Sequence, residues 1–177
     1  MRKTILYIAM SLDGYIADKN GGVDWLEGDG SDTGNEGSYG KFIDTVDTVV
    51  MGYKTYNQIV TELSPDKWVY EGLKTYVITH RKIENNKNVN FINGSIEELI
   101  TELKNNDGKN IWICGGAKIV NELMDMGLID IICVSIIPTL IGGGIRLFGE
   151  RTEKYGLKFI SSETYNGITD LVYELKK

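Results

Sequence analysis

The feature that most constrains the fold of this chain is the alternation of short apolar runs with segments of helical periodicity. Runs rich in β-branched and aromatic residues predict buried strands in TILYIAM (4–10), DTVVMG (47–52), TYVITH (75–80), NIWICG (110–115) and IDIICVSII (129–137). Helical periodicity lies between them, in residues 37–46, 53–60, 95–104 and 117–126. Strands and helices in this order form βαβ units, so we predict an α/β fold with a mainly parallel sheet flanked by helices.

The C-terminal segment predicts a different kind of strand pairing. GLKFISSETY (156–165) and ITDLVYELKK (168–177) flank Asn166-Gly167, a dipeptide typical of a two-residue β-hairpin turn. The sheet is therefore expected to be mixed, with a C-terminal antiparallel hairpin. A chain of 177 residues can bury one substantial core, and we expect residues 1–177 to form one domain.

Charge and composition disfavour several functional classes. The net charge is −6 and no basic run is present, which disfavours binding to nucleic acids or to anionic membranes. The apolar patch at the N-terminus is too short to span a membrane, and one histidine among scattered carboxylates disfavours a metal site. Cys114 and Cys133 lie in apolar stretches, so we expect reduced thiols and a cytoplasmic protein.

Two strand–glycine–helix turns are candidate anion sites. In residues 48–60 and in residues 110–123, glycine ends an apolar run and a lysine, Lys54 or Lys118, follows in the first helical turn. Such turns expose backbone N–H groups at the positive end of a helix. A basic strand end, THRK (79–82), is a third candidate. Close helix–strand packing is the alternative explanation of the glycines, but the three features together favour a nucleotide with several phosphates.

The order of motifs resembles the dihydrofolate reductase-like superfamily. The motifs are ILYIAMSLDGYIA, GGVDWL, TVVMGYKTY, TYVITHR and ICGGAKIVNELMDMGLIDIICVSIIPTLIGGGIRLF, and together they cover residues 4–175. SLDG after the first strand and Pro-x-Leu-x-Gly-Gly-Gly at 138–144 are typical of small proteins related to the reductase domain of riboflavin biosynthesis. The resemblance implies a homodimeric, NADPH-dependent reductase. Its substrate would be a pyrimidine- or pterin-like molecule, similar to that of 5-amino-6-(5-phosphoribosylamino)uracil reductase.

The resemblance also implies positions for the cofactor. The nicotinamide would be lined by Ala9, Met10 and Ile16, with Trp25 near its ring in the loop over the site. The turn at the pyrophosphate and adenosine side would contain Gly52, Lys54 and Thr55, and the strand end at the 2′-phosphate would contain Thr79, His80 and Arg81. The helix start under the pyrophosphate would contain Gly115, Gly116, Ala117, Lys118, Ile119 and Val120.

Three departures from the family pattern concern the substrate and the cofactor phosphate. Tyr53 stands where the family often has an arginine. Cys114 stands where riboflavin-pathway reductases carry a substrate-binding glutamate. The residues after Trp25, LEGDGSDTG, are too rich in glycine for the acidic helix of true dihydrofolate reductases. Dihydrofolate reductase activity and a non-catalytic NADPH-binding module therefore remain alternatives.

Hydride transfer also needs a group that supplies a proton or polarises the substrate. The acids near the expected site are Asp13, Asp24, Asp29, Asp32 and Glu36, and we assign catalytic roles to Asp13, Asp24 and Trp25. Asp13 in SLDG has an alternative role as a turn residue, Asp24 as a solvated carboxylate and Trp25 as a core residue. Tyr39, Cys114 and Arg146 are the candidate substrate contacts, although Tyr39 could simply pack and Arg146 could lie on the surface.

Overall fold

The computed structural model describes residues 1–150 and 153–176, and these residues form four helices and ten strands. The strands are β1 (Thr4–Ser11), β2 (Tyr15–Ala17), β3 (Val46–Gly52), β4 (Lys74–Ile78), β5 (Val89–Ile92), β6 (Asn110–Gly115), β7 (Ile131–Ile137), β8 (Ile145–Arg146), β9 (Leu157–Tyr165) and β10 (Ile168–Leu175). The helices are α1 (Tyr39–Ile43), α2 (Tyr53–Gln58), α3 (Ile96–Asn105) and α4 (Ala117–Asp125), and α2 continues into a π-helical turn (Ile59–Leu63).

Eight strands form one mixed sheet in the order β5-β4-β3-β6-β1-β7-β10-β9. The first six strands in this order are parallel, whereas β10 is antiparallel to both β7 and β9. The mainly parallel sheet and the C-terminal hairpin at Asn166-Gly167 are therefore confirmed. Because the six parallel strands run in one direction, their carboxyl ends meet along one edge of the molecule.

Helices cover both faces of this sheet. On one face, α3 and α4 bury Leu99, Ile100 and Leu123 against β1, β6 and β7. On the other face, α1 and α2 cover an aromatic cluster in which the rings of Tyr7 and Phe42 stack with centroids 4.2 Å apart. The two faces are expected from the strands, since apolar residues occupy both alternating sets of positions and must be covered on both sides.

Several elements differ from the sequence prediction. Helix α1 has five residues, whereas the periodicity predicted residues 37–46. Gly37, with φ +62°, and Gly40 weaken helix formation there. Strand β5 was not predicted because its surroundings are polar, and the β2–β8 ribbon consists of two residue pairs, Tyr15 with Arg146 and Ala17 with Ile145. The predicted start of α3 is confirmed, since Ser95 Oγ accepts a hydrogen bond from the Glu98 amide at 3.3 Å.

Candidate functional site

The carboxyl ends of β3 and β6 define a crevice in the sheet edge. These two strands are neighbours, yet the helices that follow them pack on opposite faces: α2 on the aromatic face and α4 on the aliphatic face. Ligands of open α/β sheets bind where neighbouring connections diverge in this way. The crevice therefore lies between the starts of α2 and α4.

Glycines bring the two sides of the crevice into contact. A Cβ added at Gly52 would lie 3.3 Å from Ile119 Cγ1, and one added at Gly116 would lie 3.4 Å from Thr55 Oγ1. Gly115 has φ +111° and is joined to Gly116 by a cis peptide bond. Gly116 is also the N-cap of α4 and offers no side-chain cap, so N–H groups of the first turn are open to a ligand. The glycines thus allow close packing across the crevice and leave the start of α4 without a side-chain cap.

A cation in the segment after β4 contacts the turn after β3. The Arg81 guanidinium lies 4.4 Å from the centroid of the Tyr53 ring, within the range of a cation–π interaction. The Arg81 amide donates to Thr79 Oγ1 at 3.0 Å, and Thr79 itself is buried. Tyr53, which replaces the family arginine, therefore holds the arginine of the neighbouring strand end. Lys54 and Lys118 are exposed at the same edge.

The loop that carries Trp25 rests against α2. The Gln58 side chain donates from Nε2 to the Gly21 carbonyl at 2.8 Å, and Trp25 Nε1 donates to the Gly22 carbonyl at 3.2 Å. Trp25 is half-buried, whereas Asp24 is exposed. The loop therefore lies beside α2, with the indole half-buried and the neighbouring carboxylate in solvent.

Asp13 joins the ends of β1 and β7. Its carboxylate accepts hydrogen bonds from Ser11 Oγ at 2.6 Å and from the amides of Ile141 and Gly142 at 3.2 and 2.8 Å. The bond from Ser11, followed by those from the two amides, lowers the pKa of Asp13. The carboxylate is thus held ionised in a turn. Arg146 on β8 lies beside the same turn, with its guanidinium 4.6 Å from the centroid of the Tyr15 ring.

Cys114 is enclosed by aromatic side chains. Its Sγ lies 3.5 Å from the Tyr70 hydroxyl, and the Tyr70 ring packs edge-on against Trp112. Burial raises the pKa of the Cys114 thiol to about 11, so the group is neutral at physiological pH. Tyr39, on α1, contacts the rings of Tyr7 and Trp112 and keeps 36% of its surface exposed. The surroundings of Cys114 are therefore aromatic, at the position where the resemblance implies a carboxylate.

The sequence matches the RibD C-terminal domain over residues 2–172. The chain belongs to the RibD C-terminal domain family. It is 38% identical over 178 residues to the uncharacterised protein YwjB of Bacillus subtilis strain 168, and the alignment covers 97% of each chain. Its fold is that of a Shewanella sp. PV-4 protein whose name connects it with riboflavin biosynthesis, with a TM-score of 0.84, 30% identity and 99% coverage of both chains.

A bifunctional protein of Thermotoga maritima shares the fold at a TM-score of 0.71 and 18% identity. It is named as a diaminohydroxyphosphoribosylaminopyrimidine deaminase and 5-amino-6-(5-phosphoribosylamino)uracil reductase. The alignment covers 99% of the present chain and 57% of that protein. These likenesses confirm the predicted dihydrofolate reductase-like fold.

In this member of the RibD C-terminal domain family, a buried polar cluster was missed by the sequence analysis. Asp170 on β10 is 1% exposed; Ser38 donates to its Oδ2 and the Tyr165 hydroxyl donates to its Oδ1 at 3.3 Å. The Tyr7 hydroxyl lies 3.2 Å from Ser38 Oγ, and Tyr165 also pairs with Ser135. The sequence contained one indication of this cluster. Asp170 and Val172 are two residues apart in β10, so their side chains lie on the same, inward-facing side of the strand.

The C-terminal hairpin also holds the acidic loop between Trp25 and α1. The Asp29 amide donates to the Asn166 carbonyl at 2.9 Å, and the Asp32 amide donates to Asn166 Oδ1 at 3.2 Å. A Cβ at Gly28 would collide with Asn166, and one at Gly37 would collide with the Tyr165 ring. Asp29 and Asp32 thus belong to a docked loop in which both side chains remain exposed to solvent.

The predicted cofactor residues fall at neighbouring strand ends. Gly52, Thr55, Gly116 and Ile119 lie in direct proximity, and Arg81 joins them through Tyr53. Met10 and Ile16 pack together against the aliphatic core, whereas Ala9 is on the aromatic face in register with Ser135. Within residues 1–150 and 153–176, no group of three or more histidine, cysteine or acidic side chains could hold a metal ion. The helices of the same residues are all too short or too polar to cross a membrane.

Proposed function

We propose that this protein is an NADPH-dependent reductase that transfers a hydride to a pyrimidine- or pterin-like heterocycle. The observation that carries the proposal is the crevice between the starts of α2 and α4, where two glycine turns touch and Arg81 lies beside them. Membership of the RibD C-terminal domain family and the likeness to reductases of riboflavin biosynthesis support the same activity.

The residues of the crevice fit a dinucleotide with a charged 2′-phosphate. Gly52 and Gly116 leave the backbone unshielded, and N–H groups at the start of α4 point towards the ligand space. In the proposed complex, Lys54, Thr55 and Lys118 bind the pyrophosphate side. Thr79, His80 and Arg81 bind the 2′-phosphate, because a planar guanidinium can pair with two phosphate oxygens.

Bound in this crevice, NADPH supplies the hydride, and the residues of the chain orient the substrate and handle the proton. Ala9, Met10, Ile16 and Trp25 would line the nicotinamide, and Tyr39, Cys114 and Arg146 would contact the heterocycle or its substituents. The aromatic rings around Cys114 and Tyr39 favour a flat, conjugated substrate, since such rings stack on one another.

One observation favours a second candidate function. The thiol of Cys114 is buried and neutral where a substrate-binding carboxylate is expected, which is consistent with a module that binds NADPH without catalysis. Dihydrofolate is the alternative substrate. The three functions are distinguished by the compound with which the protein oxidises NADPH. A riboflavin-type reductase would use 5-amino-6-(5-phosphoribosylamino)uracil, a dihydrofolate reductase would use dihydrofolate, and a non-catalytic module would use neither compound.

The cofactor proposal is tested by binding of NADPH and NADH to the protein alone. We expect NADPH to raise the melting temperature more than NADH at equal concentration, and Arg81→Ala to abolish the difference. Lys118→Ala should weaken NADPH binding about tenfold, the effect of losing one charge-assisted contact. Lys87→Ala, an exposed lysine next to the start of β5 at the opposite edge of the sheet, is the matched control. If neither dinucleotide shifts the unfolding transition, the proposal is wrong.

Three further features belong to the proposal. Residues 1–177 act as one reductase domain, two copies associate as a homodimer, and the protein works in the cytoplasm. The free thiols of Cys114 and Cys133 support a reducing compartment. The exposed apolar side chains of the edge strand β9, Leu157, Phe159 and Ile160, support association with a second copy.

A further inference from the structure

Arg81 is a cation whose charge no acidic side chain neutralises. In the part of the chain that the structure describes, its guanidinium forms no ion pair, and its hydrogen bond to Thr79 is made by the backbone amide. The guanidinium instead contacts the ring of Tyr53, whose centroid lies 4.4 Å from Cζ. An aromatic ring attracts a cation through its π face and carries no formal charge. Tyr53 therefore holds the guanidinium and leaves its positive charge available to an anion.

The backbone of Arg81 is fixed as well. The ends of β3 and β4 are in register, so Tyr53 and Thr79 are the next residues of two adjacent strands. Thr79 is buried; its amide donates to the Ile92 carbonyl at 3.0 Å, and its Oγ1 accepts from the Arg81 amide at 3.0 Å. A hydroxyl that accepts from a nearby amide in this way stabilises a tight turn. Arg81 is thus anchored by Thr79 at its backbone and by Tyr53 at its charged end, although the residue is exposed.

Tyr53 is a firm support for this cation. Its ring is half-buried against the aromatic core under α2, and its hydroxyl donates to Asn57 Oδ1 at 3.5 Å. An exposed arginine side chain loses much conformational freedom when a ligand immobilises it, and a side chain that is already held loses less. The ring therefore prepares Arg81 for binding before any ligand arrives.

We propose that Tyr53 is the positioning residue for the 2′-phosphate of the cofactor and that, acting through Arg81, it sets the preference for NADPH over NADH, an inference that rests on the proposed reductase function. The two dinucleotides differ only in the 2′-phosphate, so an anchored cation at that group raises the affinity for NADPH alone. A guanidinium pairs with two phosphate oxygens at once only in the correct orientation. The Tyr53 ring supplies this orientation, and Arg81 supplies the contact.

The test measures the dissociation constants of NADH and NADPH by fluorescence titration and compares their ratio between variants. Tyr53→Leu removes the ring and keeps an apolar side chain. We expect it to lower the ratio about threefold to fivefold, the contribution of a cation–π contact at an exposed site, through weaker binding of NADPH. Tyr53→Phe keeps the ring and should keep the wild-type ratio. Tyr56→Leu is the matched control, because it makes the same change in α2 at a ring that packs on Trp68 and Phe91.

A double-mutant cycle tests whether Tyr53 acts through Arg81. Arg81→Ala should lower the ratio more than Tyr53→Leu does, since it removes the charge itself. Adding Tyr53→Leu to Arg81→Ala should then cause no further loss, because the ring no longer has a cation to hold. Additive losses would show that the Tyr53 ring contacts the cofactor directly, which contradicts the inference.

The other results separate this inference from the proposed function. Wild-type protein that binds neither dinucleotide overturns the reductase proposal itself. Equal binding of both by the wild type, or an unchanged ratio in Tyr53→Leu, overturns the role of Tyr53 but not the binding of a dinucleotide. Equal losses of both affinities in Tyr53→Leu show a structural role instead. If Tyr53→Leu does not fold, Tyr53→Met decides by the same ratio, since it places a long apolar side chain without a ring at this position.

A measurement without cofactor tests the contact between the two side chains. In the NMR spectrum of the protein alone, the side-chain protons of Arg81 should be shifted upfield, because protons over the face of an aromatic ring are shielded. Tyr53→Leu should remove this shift, and Tyr53→Phe should keep it. Identical Arg81 side-chain resonances in the wild type and in Tyr53→Leu contradict the inference regardless of the dinucleotide affinities.

Discussion

Asp13 shows how a single carboxylate connects two loops at the edge of the site. Its hydrogen bonds from Ser11, Ile141 and Gly142 favour the ionised form, which is why the pKa of the group falls. A carboxyl group with a lowered folded-state pKa stabilises the fold above its unfolded pKa of about 3.9. This stabilisation is lost as the pH falls through the lower folded value.

We therefore expect Asp13→Asn to lower the melting temperature at neutral pH. The difference between the two melting temperatures should begin to shrink below about pH 4, the unfolded-state pKa, and should vanish once the pH is below the lower folded-state pKa. Asp24→Asn, at an exposed position, should match the wild type throughout. Thermal unfolding across a pH series measures this, and a constant difference at all pH values would contradict an electrostatic origin.

Cys114 should be an unreactive thiol. Burial raises its pKa from 9.0 to about 11, so the thiolate is about 100-fold less abundant at neutral pH than that of an unshifted cysteine. The rate of reaction with an aromatic disulfide reagent should be lower by at least this factor and should rise tenfold per pH unit. Leu12→Cys, at a position 64% exposed, provides the accessible control. Fast reaction of Cys114 would instead indicate an activated thiolate.

Part of the site was predictable from single residues, and part was not. Gly52 and Gly115-Gly116 were visible because a strand and a helix adjoin in sequence, and the turn between them needs small residues. The Asp170 cluster was not visible, because Ser38 and Tyr7 join it from 132 and 163 positions away. A local pattern contains no information about which distant hydroxyls meet a buried carboxyl group.

At the scale of elements, the C-terminal hairpin acts as the support for the loop over the site. Asn166 binds the backbone of Asp29 and Asp32, and the Tyr165 ring packs on Gly37. The same loop connects Trp25 with α1, which carries Tyr39 and follows Ser38. The position of the proposed substrate face therefore depends on two strands at the other end of the chain.

Gly28→Ala should release this loop, since the added methyl group would collide with the Asn166 carbonyl and side chain. We expect faster proteolysis within residues 28–37 and a higher KM for the heterocycle, with little change in the melting temperature. Gly34→Ala is the matched control, because it adds the same methyl group to the same loop in open space. Equal proteolysis of the two variants would show that the hairpin contact does not restrain the loop.

Elements with strong periodicity were predicted well from the sequence, because their apolar residues must be buried and burial requires a regular strand or helix. The five parallel strands with apolar runs and the Asn166-Gly167 hairpin are in this class. The β2–β8 ribbon and β5 are not, since their residues are polar or few and each is a strand only because a distant strand pairs with it. The strands that the sequence did not predict are therefore those that depend on pairing with residues far away in the chain, and not those with unfavourable side-chain propensities.

At the scale of the whole molecule, one edge of the sheet is left open. Strand β9 is the last strand of the sheet, and Leu157, Phe159 and Ile160 on it are 41%, 57% and 47% exposed. An exposed apolar edge strand can pair with the same strand of a second copy across a two-fold axis. This is the surface on which the proposed homodimer would form.

Sedimentation should therefore give twice the chain mass of 19.8 kDa for the wild type. Phe159→Lys should shift the protein towards the monomer, because a charge at the centre of the apolar edge opposes burial. Leu63→Lys is the control, since Leu63 is also 57% exposed but lies on the far side of the fold, after α2. Equal effects of the two substitutions, or a monomeric wild type, would contradict a dimer through β9.

The sheet order has a consequence for synthesis on the ribosome. Strand β10 follows β9 in the chain but lies between β7 and β9 in the sheet. A nascent chain translated only as far as β9 therefore has no strand partner for β9, no Asp170 beside Ser38 and no anchor for the loop that follows Trp25. The two glycine turns of the crevice proposed for the dinucleotide, by contrast, have both been made once α4 has been translated. Binding of the proposed cofactor can thus precede the docking of this loop during translation.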